Sequence, residues 1–406
     1  MTRDISDFLS PSCTVLALGE PTHSEPAVAW LRNDLFARLA GHGFAAVALE
    51  TDRVAALMVD DYVRRGVGDL DTVLREGFSH GFGAHPANRA LVTWMREYNE
   101  ALPPRRRLAF HGFDAPLETM SAPSPRRYLE AARAQLNRAN PATSADLDAE
   151  IDALLGADER WSRTEAVLDP AASPGRTPEA ERLRAIADDL TLEFQLATPN
   201  LLATGSRHEW HTARTHLLAA VHVLRYHAAC ARRVDEAERL TRMCATRDAC
   251  MAENLADIRR IESARGATLV FAHNLHLQRN PGSMPMGEVT VDWFSAGALF
   301  DAAHPGEYRF LAGALGRSAD IGLGDPGRGT YEAALRSRIP DWGLTAPETL
   351  PDSHVRDDID PRKGYFPLDR DILGGADGVL FVADCAAVDE AASSAVGVPL
   401  PITSPR

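Results

Sequence analysis

Short apolar runs alternate with helical patterns over the first 120 residues. Three runs have the length of buried strands: Thr14–Leu18, Ala45–Leu49 and Arg107–Phe110. Between the first two, the stretch Ala27–Ala40 repeats apolar residues at helical spacing, and glycines follow it. Strands that alternate with helices predict a largely parallel sheet covered by helices on both faces. The expected fold class is therefore α/β.

The pattern changes in the middle of the chain, where no convincing strand is found. Helices are predicted near residues 125–138, 146–160, 178–195, 207–233 and 236–262. Strand patterns return at Thr268–Phe271, Glu288–Val291, Tyr308–Ala312 and Gly378–Val382, whereas residues 313–377 read mostly as loop. We therefore expect an α/β core built from residues 1–120 and 263–406, with residues 121–262 inserted as a helical cap.

Titratable side chains follow three of the predicted strands. Glu20 and His23 lie in a Gly-Glu-Pro-Thr-His turn, Glu50 ends the next strand, and an Ala-His-Asn-Leu-His segment supplies His273 and His276. Because pockets of open α/β sheets form at the carboxyl ends of strands, these side chains are expected to share one site. A carboxylate that orients an imidazole favours general-base chemistry.

Further candidates surround this set. Arg32, early in the first helix, could bind a carboxylate or stabilise developing negative charge, although a solvated arginine is the alternative. Predicted substrate contacts are Asp114, Asn274, and the histidines His80 and His85 of a glycine-rich loop.

Two other groups of polar residues are interpreted as structural. Several histidines between residues 207 and 227 point in different directions at helical spacing, which indicates surface or packing positions in the cap. Arg247 and Asp248 are interpreted as residues of an ion pair that locks the cap to the core.

Composition narrows the function classes. The net charge of −14 over 406 residues argues against a nucleic-acid partner, which requires clustered cationic residues. The five cysteines form no Cys-x-x-Cys pair, so a disulfide framework or zinc–thiolate site is not expected. No signal peptide or membrane-spanning run is found, and the predicted location is the cytoplasm, without membrane association.

Several segments together resemble the erythromycin esterase family, hydrolases that open macrolide lactones. They are LGEPTH (18–23), the helix with Arg32, HGFAAVALE (42–50), FHGFD (110–114), TRDACMAENL (246–255) and VFAHNLH (270–276). The resemblance implies that His23 activates water and that Glu20 and Glu50 are acidic partners. It further implies that Arg32 acts electrostatically, that His273 and His276 line the pocket, and that Asp114 belongs to a Gly-x-Asp strand end.

The sequence leaves the reaction and the metal requirement open. We expect an esterase or lactonase acting on a natural-product-like or peptide-like small molecule. Cyclisation, dehydration or acyl transfer on a biosynthetic intermediate is the first alternative, and ligand binding without turnover is the second. The resemblance implies catalysis without a cofactor. A divalent metal held by Glu20, His23, Glu50, His273 and His276 is the alternative. No pattern indicates the oligomeric state.

Overall fold

The sheet at the centre of the protein confirms the predicted α/β class. The structure is a computed structural model that describes residues 3–118, 121–139 and 145–395. Its strands are β1 (Val15–Glu20), β2 (Phe44–Asp52), β3 (Ala109–Asp114), β4 (Ala267–His273), β5 (Gly282–Met286), β6 (Val289–Trp293), β7 (Tyr308–Arg317), β8 (Trp342–Thr345) and β9 (Gly378–Asp384). Seven of them form one sheet in the order β3-β2-β4-β1-β7-β9-β8, which is parallel except for the edge strand β8.

Strand β1 lies near the middle of this sheet, between β4 and β7. All six of its residues are buried, as expected for a central parallel strand covered on both faces. The register between β1 and β4 pairs Glu20 with His273, although 252 positions separate them along the chain. The fold thus joins the two polar segments singled out in the sequence.

Helices cover both faces of the sheet and build the middle of the chain. They are α1 (Ala27–Ala40), α2 (Ala56–Arg65), α3 (Leu70–Glu76), α4 (Pro86–Glu100), α5 (Arg126–Ala139), α6 (Ala145–Leu155), α7 (Glu159–Ser162), α8 (Thr164–Leu168), α9 (Pro178–Thr204), α10 (Arg207–Cys230), α11 (Glu236–Glu262), α12 (Asn274–Leu277), α13 (Ala296–Ala303), α14 (Tyr331–Arg336), α15 (Arg370–Gly375) and α16 (Cys385–Ala395). Short 3-10 segments lie at Ile5–Phe8, Phe82–Ala84, Pro104–Arg106, Pro347–Thr349 and Pro361–Lys363.

The three largest apolar cores lie on the two faces of the sheet and among the helices of the middle region. One core packs α1, α2 and α4 against one face of the sheet, and a second packs the end of α11 with α13 and α14 against the other. A third core lies between α5, α6, α9 and α10. The described elements between Arg126 and Glu262 are all helices, in line with the helical pattern of that region. Within the described ranges, no helix is long and apolar enough to cross a membrane.

Two regions were predicted only coarsely. The run at 288–291 is a strand as predicted, and β6 pairs with β5 in a separate two-stranded hairpin. Residues 313–377 are mostly loop as predicted, but the end of β7 and the short elements β8, α14 and α15 also lie there. Strand β5 includes Pro285 and β8 has only four residues, so neither carries a periodicity that could be recognised.

Candidate active site

The predicted site residues converge at the carboxyl ends of β1, β2 and β4. Glu20 ends β1, Glu50 lies near the end of β2, and His273 ends β4. The Glu50 side chain accepts a hydrogen bond from the backbone N–H of His273 through Oε2, at 2.9 Å. Neighbouring parallel strands therefore bring the carboxylates and the histidines of both segments together at one edge of the sheet, where Glu20, His23 and Glu50 line a pocket.

His23 is held by Glu20 in the turn after β1. Its Nδ1 lies 2.7 Å from Glu20 Oε1, and its Nε2 lies 3.7 Å from Glu50 Oε1. Because an ionised carboxylate only accepts hydrogen bonds, Nδ1 carries the proton, and the neutral ring has its lone pair at Nε2. The His23 side chain is 36% exposed, whereas the two carboxylates are buried. Nε2 is thus the basic atom of this pair.

The surrounding charges favour the protonated form of His23. Burial lowers its pKa, but the charges of Glu50 and Glu20 outweigh burial and raise the pKa to about 9. The ring therefore carries a proton at neutral pH in the free protein. It becomes a base only as the pH approaches that value.

Glu50 is the centre of a buried network of charges. Its Oε1 lies 3.0 Å from Arg247 Nη2 and 3.3 Å from His276 Nε2. Burial alone would raise the pKa of Glu50, but His276, His23 and Arg247 hold it well below its usual range. Glu50 is therefore ionised, and its charge maintains the proton on His23.

Two residues of this network were not predicted as site residues. Arg247 of α11 bonds Asp114 and Glu50 at the strand ends, so it does tie the helix to the core. Asp248 bonds a different group, with both oxygens 3.0 Å from His276 Nδ1. The TRDACMAENL segment was the available signal. Adjacent helical residues project in different directions, so separate partners for Arg247 and Asp248 could be expected, but the spacing does not identify those partners.

Asp114 and Asn274 were predicted as substrate contacts, and the structure places both inside the protein. Asp114 is completely buried, and its two oxygens bind Arg247, His80 and the backbone of Ala115. The Asn274 side chain is also buried and bonds both backbone groups of Gly313, at 2.9 and 3.0 Å. The polar atoms of both residues are thus satisfied by other protein groups, and their contact with substrate stays a prediction.

Arg32 is buried, which contradicts the solvated alternative. Its guanidinium donates to the side-chain oxygens of Asn33 and Asn88 and stacks on the Phe271 ring at 4.7 Å. Burial lowers its pKa to about 10, and Glu20 only partly opposes this effect. Among the described residues Arg32 forms no ion pair, and its guanidinium lies beside the His23 pocket.

The pocket itself is small and mixed in character. It brings together acidic, basic and aromatic side chains from β1 and the turn after it, β2, β4, α1, the loop before α4 and the start of α4: Glu20, His23, Glu25, Ala29, Arg32, Leu49, Glu50, Phe78, Phe82, His85, Asn88 and Phe271. Of the two loop histidines that were predicted, His85 therefore lines this pocket, whereas His80 turns towards Asp114 and Glu118.

His273 is a neutral donor next to His23. Its Nδ1 accepts a hydrogen bond from the backbone N–H of Leu275, so the ring proton lies on Nε2. Burial and the charge of His23 lower its pKa to about 3, while Glu50 and the Pro21 carbonyl act in the opposite direction. Nε2 makes no hydrogen bond of normal geometry within the described residues, and the two histidine rings lie 5.3 Å apart.

The cap histidines bind groups within the cap or close to it. His216 contacts the Thr212 carbonyl, His222 binds Glu253, and His227 contacts the Pro123 carbonyl. These contacts fit the interpretation that they are packing residues.

The metal alternative can be tested on the side-chain arrangement. In the part of the chain that the structure describes, no group of three or more His, Cys, Asp or Glu side chains is arranged to hold a metal ion. The nitrogens of His276 face Asp248 and Glu50, and Nδ1 of His23 faces Glu20. The donor atoms are directed at one another rather than at a common point.

Comparison with known proteins provides the family. The sequence model of erythromycin esterase matches residues 39–376, which include Glu50, Arg247 and the 272–276 segment. No curated protein matches the sequence.

Among solved structures, a mutant of the erythromycin esterase EreC in its open conformation has a TM-score of 0.67 at 16% identity, covering 94% of this chain and 92% of that one. A Bacillus cereus protein has a TM-score of 0.65 at 16% identity, with 92% and 89% covered. A succinoglycan biosynthesis protein has a TM-score of 0.61 at 15% identity, with 92% and 88% covered. These structures share the fold, and the sequence match shows that the chain belongs to the erythromycin esterase family.

Proposed function

We propose that this protein hydrolyses an ester or lactone with His23 as the general base. The observation that carries the proposal is the Glu20–His23 pair, in which Nδ1 is fixed by the carboxylate and Nε2 is left for water. A histidine held in one tautomer at a pocket is suited to proton transfer. The family supports the reaction class, and its name makes macrocyclic lactones the first compounds to test.

The reaction begins with removal of a proton from water. Neutral His23 takes this proton at Nε2 while the water oxygen bonds to the carbonyl carbon. The carbonyl electron pair moves onto oxygen, which becomes the tetrahedral oxyanion. The Glu20 carboxylate stabilises the imidazolium that forms, since it already accepts the Nδ1 proton.

His273 is the group best suited to stabilise the oxyanion. It is neutral, its proton lies on Nε2, and apart from a weak interaction with the Pro21 carbonyl that N–H makes no hydrogen bond of normal geometry in the described structure. A donor whose hydrogen bond is completed only by developing charge stabilises the transition state more than the ground state. Collapse of the intermediate then breaks the carbon–oxygen bond, and His23 returns its proton to the leaving alkoxide.

His276 and Arg247 have a supporting role in this scheme. Both His276 nitrogens face carboxylates, so the ring has no free nitrogen for substrate. The two residues keep Glu50 ionised, and Glu50 holds the His273 backbone in place. The cation of Arg32 next to the pocket adds electrostatic stabilisation for negative charge.

Hydrolysis in ¹⁸O-labelled water tests the proposal. A panel of esters and macrocyclic lactones is incubated with the wild type and with His23→Gln, and products are analysed by mass spectrometry. We expect one label in each carboxylic acid product and a rate reduced by about 10²–10⁴-fold in the variant. A product without label would show that the reaction is cyclisation or transfer rather than hydrolysis. Full activity of a folded His23→Gln would exclude His23 as the base.

A further inference from the structure

The loop between α3 and α4 contains a histidine in an unusual backbone conformation. His80 has φ of 56°, and within the described residues no other non-glycine residue has positive φ. Gly81 follows with φ of 73°, and a short 3-10 turn then begins at Phe82. Left-handed backbone in a residue with a side chain persists only where its surroundings hold it in place.

Two acidic residues hold His80. Its Nδ1 lies 3.0 Å from Glu118 Oε2, and its Nε2 lies 3.2 Å from Asp114 Oδ2. Its backbone N–H also donates to Glu118 Oε1, at 3.1 Å. Three contacts thus fix one residue to the end of β3 and the segment that follows it. The same Asp114 binds Arg247, which connects His80 to the network around Glu50.

The turn held in this way presents an aromatic ring to the candidate base. The Phe82 ring lies 5.1 Å from the His23 ring and 5.5 Å from the His80 ring. The Phe82 carbonyl accepts from Asn88, which in turn accepts from Arg32. The loop is therefore fixed on both sides of Phe82, by His80 before it and by Asn88 after it. These two contacts determine which face of the His23 ring Phe82 covers.

We propose that His80 is a positioning residue that holds Phe82 against the ring of His23. The inference depends on the proposed function for its effect on catalysis, but its structural part does not. A fixed Phe82 excludes water from one face of His23 and limits its ring to the orientation in which Nδ1 meets Glu20. When the anchor is removed, Phe82 moves away and His23 is exposed on that face.

Chemical modification measures this shielding without any substrate. Diethyl pyrocarbonate acylates neutral imidazoles, and peptide mass spectrometry gives the rate at His23 relative to the exposed His42 in the same molecule. The variants are His80→Gly, His80→Asn and Phe82→Leu, and each rate is followed over pH so that the limiting rates of the neutral imidazoles are compared, which removes changes in protonation from the ratio. His304→Asn is the matched control, because it removes a histidine that packs on Phe300 at 4.5 Å on α13.

We expect the His23 to His42 ratio to rise at least five-fold in His80→Gly and in Phe82→Leu, and not in the control. His80→Asn keeps a residue that tolerates left-handed backbone and can bond one carboxylate, so it should restore part of the shielding. In the activity assay, kcat should fall about ten-fold in His80→Gly, with a smaller change in KM and partial rescue by asparagine.

The outcomes separate this inference from the proposed function. An unchanged modification ratio in folded His80→Gly and Phe82→Leu overturns the inference even if hydrolysis is observed. A raised ratio supports the positioning role of His80 even if no ester is hydrolysed. In that case only the proposed function is overturned. If His80→Gly does not fold, the ratios of His80→Asn and Phe82→Leu decide.

Discussion

Replacing Glu20 by glutamine changes the charge next to His23 with almost no change in shape. The substitution removes the negative charge whose Oε1 lies 2.7 Å from His23 Nδ1. The new amide can also donate to Nδ1, which would place the ring proton on Nε2 and leave no base facing the pocket. We therefore expect both a lower pKa of His23 and a large loss of activity.

The size of the pKa change follows from the charges around the ring. The rise in the pKa of His23 from 6.5 to about 9 corresponds to roughly 3–4 kcal/mol of net stabilisation of the imidazolium. Because about a third of the side chain is exposed, solvent screens this interaction, and we take about half of the value, roughly 2 kcal/mol. Glu50 remains in the variant, so the pKa of His23 should fall by about one unit.

Two assays measure the effect. Proton NMR titration of the substrate-free protein follows the His23 ring, assigned by its absence in His23→Gln, and gives the pKa directly. The pH profile of kcat/KM on a hydrolysed ester should rise towards about pH 9 in the wild type, because only the deprotonated ring is a base. In Glu20→Gln the maximal rate should fall about 10²–10⁴-fold.

A matched control is available in the same pocket. Glu25 is also a buried glutamate of the pocket, but it bonds Ser318 and the backbone of Ala27 rather than His23. Glu25→Gln should leave the pKa of His23 almost unchanged. If Glu20→Gln titrates like the wild type and keeps its activity, Glu20 neither raises the pKa of His23 nor orients it, and the reasoning is refuted.

Three further predictions concern stability. The pKa of His23 in the folded protein exceeds the unfolded value of 6.5, so the charged ring contributes its full stability below about pH 6.5 and loses it as the pH rises through about 9. The free energies of unfolding of wild type and His23→Gln, measured in urea, should therefore converge over that range. A constant difference between them across the range would contradict this. Arg247→Met removes the guanidinium shared by two buried carboxylates and should lower the free energy of unfolding by about 3–5 kcal/mol, measured by urea titration. A loss below about 1 kcal/mol would show that this ion pair is not stabilising. Gly19→Ala would place a Cβ 2.0 Å from Asn274 Oδ1 and should lower the free energy of unfolding by about 1–3 kcal/mol. The Gly19→Ala/Asn274→Ala double variant should lose less stability than the sum of the two single losses. Strict additivity would exclude the clash.

Much of the fold is recoverable from local patterns. The apolar run at Thr14–Leu18 lies in β1 apart from its first residue, and the helical pattern of Ala27–Ala40 coincides with α1. Periodicity succeeds there because each element buries a continuous face. It fails for β5 and β8, since a strand with a proline and a strand of four residues are stabilised by their pairing rather than by their own sequence.

The sequence by itself determined the α/β class and the candidate set Glu20, His23, Glu50, His273 and His276, because polar residues after buried strands mark the pocket edge of a parallel sheet. Only the tertiary structure decided how these residues are charged and bonded. In the folded protein Arg247 binds Glu50 and Asp114, and the Asn274 side chain bonds the Gly313 backbone. Arg247 lies more than 100 residues from Glu50 and from Asp114, and their proximity depends on strand register and helix packing, which no local pattern encodes.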